Sequence, residues 1–265
     1  MRYFSIIDLN AYSYLPFIYD ILVNSSWTVI VVLKVIFFDL HGTLGYTENP
    51  VTPIEVSKIL TSRGYEVSPQ AWRAAIHFVG IVDFPRLKLN DISSFLKQVC
   101  CRLGIEVDKD TLDKLIGLFE SRDFYKLYPE AIDAVKIAKE ELNLKAAIVT
   151  TIPKFKFKLI LKFLSRYIDF VMTGLEAGCD KSNPKMYLSL LKTLKIAPKD
   201  VVVIGDEAYV DIILPKSLGM KVIQLIRGNT KKCDLADAHV NNLIDAIKVI
   251  KKWMKEAKQI EWQDI

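Results

Sequence analysis

Asp39 closes an apolar run, Val35-Ile36-Phe37-Phe38, and is followed at once by His41, Gly42 and Thr43. Three more polar groups stand after comparable runs or turns. Ala146-Ala147-Ile148-Val149 ends at Thr150-Thr151, Val201-Val202-Val203-Ile204-Gly205 ends at Asp206-Glu207 with Asp211 five residues after Asp206, and Lys181 precedes Asn183-Pro184. Taken singly, each is an ordinary strand end or helix cap. Together they describe a charge problem with a chemical answer. Asp39, Asp206 and Asp211 in one crevice would repel one another unless neutralised, and a divalent ion plus Lys181 supplies three positive charges against their three negative ones. Carboxylate oxygens without thiolate or several imidazole ligands suit Mg2+, which keeps part of its water shell and shares phosphate oxygens readily. Helix N-termini and the Thr150 hydroxyl are then suited to the remaining oxygens of a phosphate group.

The elements that must position these residues read as an α/β chain. The run ending at Asp39 is apolar at consecutive positions, as in a parallel strand covered on both faces, and Gly42 lets the chain turn sharply after it. From about Pro50 to Tyr128 the pattern is helical with little strand signal. Thr52-Pro53 and Ser68-Pro69 each place a cap residue before a proline at the first helical position, opening helices through Arg63 and His77. Asn90-Asp91 and Asp108 to Thr111 open two more, so four helices form an insert. After Pro129 strands alternate with helices: strands at 144–150, 169–172, 201–205, 221–226 and 238–240, and helices ending near Leu142, Leu164, Leu194, Leu218 and Lys255. Such alternation builds a parallel sheet with right-handed crossovers, and ligands of open α/β sheets sit at the carboxyl ends of the strands.

The ordered set Asp-x-x-Gly-Thr-Leu at 39–44, Thr150, Lys181 and Gly-Asp-x-x-x-x-Asp at 205–211 resembles the haloacid dehalogenase-like hydrolase superfamily over about residues 33 to 230. The resemblance implies a Rossmann-like doubly wound parallel sheet with an inserted helical-bundle cap. It divides the chain into an extension at 1–32, a core at 33–46 and 127–265, and a cap at 47–126. It further implies a Mg2+-dependent hydrolase of small phosphate monoesters that works through an aspartyl-phosphate. In that scheme Asp39 is the nucleophile, and Thr150 holds the transferring group with Thr43 and Thr151 beside it. Lys181 stabilises both charges, while Asp39, Asp206, Asp211 and the backbone carbonyl of His41 hold the metal. The stretch Gly178 to Tyr187 looks like the family's Lys-Pro-Asp-Pro loop with Ser182 in place of the first proline, which selects Lys181 over Lys185.

One departure bears on the reaction. Phosphatases of this family carry a second Asp two residues after the nucleophile as general acid and base, and here that position is His41. An imidazole can exchange protons near neutrality; alternatively it is a packing residue at the cap interface. Dehalogenases and phosphonate hydrolases of the family lack the second Asp, and a phosphate-ester-binding module with little turnover is the non-enzymatic alternative. In the insert, Arg73 and His77 stand four apart on one helical face, either as an anion-binding specificity patch or as a solvated face.

The 265 residues, 51% hydrophobic and 25% charged, are enough for a large buried core, and the net charge of +5 comes from 36 basic against 31 acidic residues in mixed order. No aromatic-interleaved basic stripe marks a nucleic-acid surface, while an anionic small substrate, a phosphorylated metabolite, suits the excess. Four cysteines without metal-ligand spacing, two of them adjacent, suit a reducing cytoplasm. Asp20, Asn24 and Ser25-Ser26 interrupt the apolar N-terminal stretch, so neither a spanning helix nor a signal peptide is expected there. Residues 1–32 read either as a peripheral appendage or as an over-extended start before a natural beginning near Leu33. A monomer or a homodimer is expected.

Overall fold

The first strand, β1 (Val35–Phe38), is buried at every position because it runs through the middle of a six-stranded parallel sheet. The computed structural model describes residues 33–263; the expectations for residues 1–32 lie outside the described residues. The sheet has the order β5-β4-β1-β6-β7-β8, with β4 at Lys145–Val149, β5 at Phe170–Met172, β6 at Val201–Gly205, β7 at Lys221–Leu225 and β8 at Ala238–Val240. In register, Val35 to Phe38 pair with Lys145 to Ile148 on one side and with Val201 to Ile204 on the other. Val35 and Phe37 face a cluster that includes Tyr187, Leu190 and Leu194 of the Lys185–Leu194 helix. Ile36 and Phe38 alternate with them, are equally inaccessible, and so point to the opposite face of the sheet. Two covered faces explain the lack of polar alternation in the sequence. The order of the strands reverses at β1, so the crevice above β1, β4 and β6 is the topological switch point.

Between β2 (Gly45–Thr47) and β3 (Tyr125–Leu127) the chain makes the helical insert. Its helices are α1 (Pro53–Ser62), α2 (Pro69–Phe78), the short α3 (Phe84–Leu87), α4 (Ile92–Arg102) and α5 (Lys109–Arg122). Thr52, Ser68, Asp91 and Asp108 cap four of them through side-chain oxygens that accept backbone N–H groups, and Thr52 and Glu55 complete a capping box. The insert has its own apolar cluster around Trp72, Leu96, Val99, Leu115 and Phe119, with Phe155 and Leu175 packed against it.

The structure departs from the sequence expectation in three places. β2 and β3 form an antiparallel ribbon, Gly45 opposite Leu127 and Thr47 opposite Tyr125, at the two ends of a segment expected to hold helices alone. α2 runs through a π turn, Val79–Asp83, into α3, giving five helices where four were expected. The closing helix spans Leu243–Gln263, beyond the expected end at Lys255. No helix among the described residues is long and apolar enough to cross a membrane. All four cysteines are free.

Candidate active site

Asp39 is placed by the end of β1: its N–H donates to the Ile204 carbonyl at 2.9 Å, the last rung joining β1 to β6, and its side chain projects beyond the sheet. Asp206 and Asp211 follow β6, the second of them inside a π turn, Ala208–Ile213. Two glycines make room for these carboxylates. Gly42 has φ +79°, and a Cβ there would lie 2.6 Å from the Asp206 carboxylate carbon; a Cβ on Gly205 would overlap the Asp211 side chain. Lys181 comes in from the loop before the Lys185–Leu194 helix. It is 3% exposed, donates to Asp39 Oδ1 at 2.5 Å and forms an ion pair with Asp211, whereas Lys185 is exposed. The Glu207 N–H donates to Asp211 Oδ2 at 3.1 Å.

The electrostatics are those of a crowded anionic site. Burial pushes the carboxyl of Asp39 up, against the opposing pull of Lys181. Burial also raises Asp206 and Asp211, each to about 6, with Asp211 adding to the shift of Asp206 and Asp39 adding to that of Asp211. Burial opposes the charge of Lys181, yet Asp211 and Asp39 outweigh it and hold its pKa well above the ordinary 10.5. Three carboxylates against one ammonium leave two negative charges uncompensated. Asp39 Oδ2 is buried with no hydrogen-bond partner, and one ligand oxygen from each of Asp39, Asp206 and Asp211 lies within 4.8 Å of the others. An oxygen-only donor set carrying two excess charges and an orphaned carboxylate oxygen fits a hard divalent cation.

A cleft of about 590 Å³ opens over this group, lined by Asp39, His41, Thr150, Thr151, Lys181, Asp206 and Asp211 among others. Thr150 is buried at the end of β4, and its Oγ1 accepts the Ile152 N–H at 3.2 Å. Thr43 is fully buried and its hydroxyl has no partner. His41 lines the cleft with its Nδ1 3.1 Å from the Tyr125 hydroxyl; burial and then Lys156 lower its pKa below 6.5, with Glu207 opposing.

Arg73 and His77 are not brought to this cleft. Both are exposed on α2, whose buried face is taken by Trp72, Ala75 and then Val79, so the pair occupies the outer face of that helix. Conversely, Tyr125, Thr230 and Lys231 line the cleft without having been singled out in the sequence. Gln224, fully buried at the end of β7, ties that last loop to the site: its Nε2 donates to the carbonyls of Asp206 at 3.2 Å and Lys231 at 2.9 Å.

Residues 33–219 match the haloacid dehalogenase-like hydrolase family, and the chain belongs to it; it is a hydrolase of that family. Among its relatives is a glyceraldehyde 3-phosphate phosphatase of Pyrococcus furiosus, 24% identical over 248 residues that cover 86% of this chain and 97% of the relative. The fold is also that of a HAD phosphatase from Thermococcus onnurineus, with a TM-score of 0.58 and 23% identity over 82% of this chain and 98% of the other. A 2-haloacid dehalogenase from Pseudomonas syringae pv. Tomato is similar to the same degree, with a TM-score of 0.61 and 20% identity over 84% of this chain and all of the other. At these identities the two structures speak for the fold, and the reaction has to be argued from the residues.

Proposed function

We propose that the protein is a Mg2+-dependent phosphatase of small phosphate monoesters that works through an aspartyl-phosphate on Asp39. The observation that carries this reading is the uncompensated carboxylate trio around a buried, doubly paired lysine. A carbon–halogen displacement has no evident use for three converging carboxylates, whereas the dianionic phosphate of a monoester requires neutralisation before another anion can attack it. The name of the Pyrococcus relative supports a small phosphorylated substrate. The free cysteines agree with a reducing, cytoplasmic setting. Residues 47–126 are proposed as a cap on the core of 33–46 and 127–265, with both boundaries falling inside the β2–β3 ribbon.

In this mechanism a carboxylate oxygen of Asp39 bonds to phosphorus as the bond to the leaving oxygen breaks, and the leaving oxygen takes a proton. Water then bonds to phosphorus, the aspartyl oxygen leaves, and the water's proton is taken up, restoring Asp39. His41 occupies the position from which those protons are given and received. Lys181 holds Asp39 in place and offsets charge on the transferring group; the Thr150 hydroxyl and the N-terminus of the following helix, Lys154–Leu164, receive phosphoryl oxygens. Asp39, Asp206, Asp211 and the His41 carbonyl would hold the metal, which when bound supplies charge neutralisation at the phosphate oxygens.

The test is turnover of p-nitrophenyl phosphate and a panel of phosphorylated metabolites with and without Mg2+, against an Asp39→Asn control. Mg2+-dependent hydrolysis above the control is expected. Metal-independent release of halide from a 2-haloacid would favour the dehalogenase alternative, and tight binding of phosphate analogues without turnover would favour a binding module.

A further inference from the structure

We infer that Tyr125 is a positioning residue for His41: its phenol oxygen engages Nδ1 and thereby makes Nε2 the ring nitrogen offered to the substrate. This rests on the reading of His41 as the proton-transfer group. Two contacts constrain the imidazole. The hydrogen bond of 3.1 Å fixes the position of Nδ1, and the rings meet edge to face, with centroids 5.7 Å apart and planes at 80°, which fixes the ring plane. Without them, a histidine on a turn samples several rotamers, and a proton-transfer group misplaced by an ångström loses much of its effect.

Tyr125 is itself well anchored. It is 5% exposed and sits opposite Thr47 on the β2–β3 ribbon. Two residues before it, Asp123 is paired with Lys156 at 2.6 Å, which holds the chain entering β3 to the helix that follows Thr150. The ribbon thus brings residue 125 against residue 41 across a separation of 84 in sequence.

The hydrogen bond is compatible with two tautomers, and the hydrolytic half-reaction needs the one with its proton on Nδ1. Which nitrogen of a histidine carries its proton is set by the partner of the other nitrogen, and a phenol oxygen accepts as well as it donates. With Tyr125 accepting from Nδ1–H, the Nε2 lone pair is free. In the hydrolytic half-reaction the water oxygen then bonds to phosphorus, the Asp39 oxygen leaves with the bonding pair, and the water's proton passes to Nε2. The opposite arrangement would place the proton on Nε2 and leave no acceptor facing the cleft.

Two measurements test this with Tyr125→Phe, which keeps the ring and removes only the oxygen. The first follows both half-reactions of p-nitrophenyl phosphate, whose leaving oxygen needs little help: release of p-nitrophenol in a single turnover, and release of phosphate, which requires the water's proton to pass to Nε2. A fall of about ten- to a hundredfold in phosphate release, with p-nitrophenol release nearly unchanged, is expected. Equal losses in both rates, or none in either, would overturn the proposal. The second is independent of activity: 15N spectra of histidine-labelled protein at about pH 8, above the ordinary imidazole value of about 6.5, with His41 assigned by its loss in His41→Ala. The neutral ring of the wild-type protein should carry its proton on Nδ1, and Tyr125→Phe should shift the population towards Nε2. A wild-type ring already protonated on Nε2 would refute the assignment even in a protein that hydrolyses nothing, whereas absence of turnover with the expected 15N pattern would count against the phosphatase reading alone.

Discussion

Buried aspartates occur both in the helical insert and in the sheet core, and the two regions treat them in opposite ways. Asp83, at the end of the π turn in the insert, has both oxygens engaged by Arg102 at 2.6 Å each and accepts a further hydrogen bond from Gln98 at 2.8 Å. Hydrogen bonding to Arg102 holds its carboxyl below the usual range despite burial, with Gln98 adding to the effect. In the core, Asp39 and Asp211 share Lys181 with Asp206 beside them, and burial and mutual repulsion raise all three. A charge whose partners are complete stabilises the fold; a set whose partners are incomplete stores free energy that a ligand can release. The insert's aspartate is matched by its own neighbours, whereas the trio in the core carries two negative charges more than Lys181 neutralises.

The most severe way to break this contrast is to remove the nucleophile. Asp39→Asn should lower phosphatase turnover by roughly four to six decades, read with p-nitrophenyl phosphate, while the protein stays folded because an isosteric amide relieves part of the carboxylate crowding. Next comes His41→Ala, expected to lose roughly two to four decades with Mg2+ binding by calorimetry largely kept, since only a side chain is removed from a residue whose carbonyl is assigned to the metal. His41→Asp should recover part of the loss by restoring the family pattern. Unchanged turnover in the alanine variant would reduce His41 to a packing residue.

Stability against pH sharpens the same contrast. Asp206 and Asp211 have folded values of about 6 against an ordinary 3.8, so the folded state binds protons more tightly than the unfolded chain. Their contribution is fully present below 3.8 and is lost as pH rises through about 6, and the pair titrates as a coupled unit rather than residue by residue. Metal-free protein should therefore lose stability from the trio across that window. Added Mg2+ should raise Tm more at pH 7 than at pH 5 (values chosen roughly either side of the window), because protonated carboxylates compete with the metal. A Mg2+ shift equal at both values would separate the raised carboxyls from the metal site.

Much of the core was legible because each chemical residue ends an apolar run: Asp39 after β1, Thr150 after β4 and Asp206 after β6 are all announced by buried strands that need no partner information to recognise. Tyr125 carried no such signal. It lies in a strand of three residues whose pairing partner is 78 positions away, at Thr47, too short for a period and too distant for a turn motif. Thr230 and Lys231 lie in a loop whose placement depends on Gln224 beneath it, a long-range contact. The spacing of Arg73 and His77 shows only that they share a face of α2; which face turns outward is decided by Trp72, Ala75 and Val79 packing into the insert. The π turn at 208–213 reads as ordinary helix, since periodicity cannot distinguish one added residue per turn, and the one at 79–83 lies beyond the helix end expected at His77.

The smallest effect is expected in the insert. Asp83→Asn keeps the shape of the side chain but replaces one acceptor by a donor facing Arg102, at the point where the π turn meets α3 and is tied to α4. Arg102 is itself 43% exposed, so solvent screens the pair and part of the loss is recovered by water. A destabilisation of about 1 kcal/mol follows, or about 2–4 °C in Tm for a domain of this size. Its pH dependence runs opposite to that of the trio. A carboxyl lowered in the folded state contributes stability above its unfolded value of 3.8, and that contribution disappears as pH falls through the lower folded value. The difference in unfolding free energy between wild type and Asp83→Asn should therefore be constant near neutrality and shrink on acidification below that value. Turnover should be unchanged, because Asp83 does not line the cleft. A gap that widens in acid, or a loss of activity without a loss of stability, would show that the insert's buried aspartate belongs to the functional set after all.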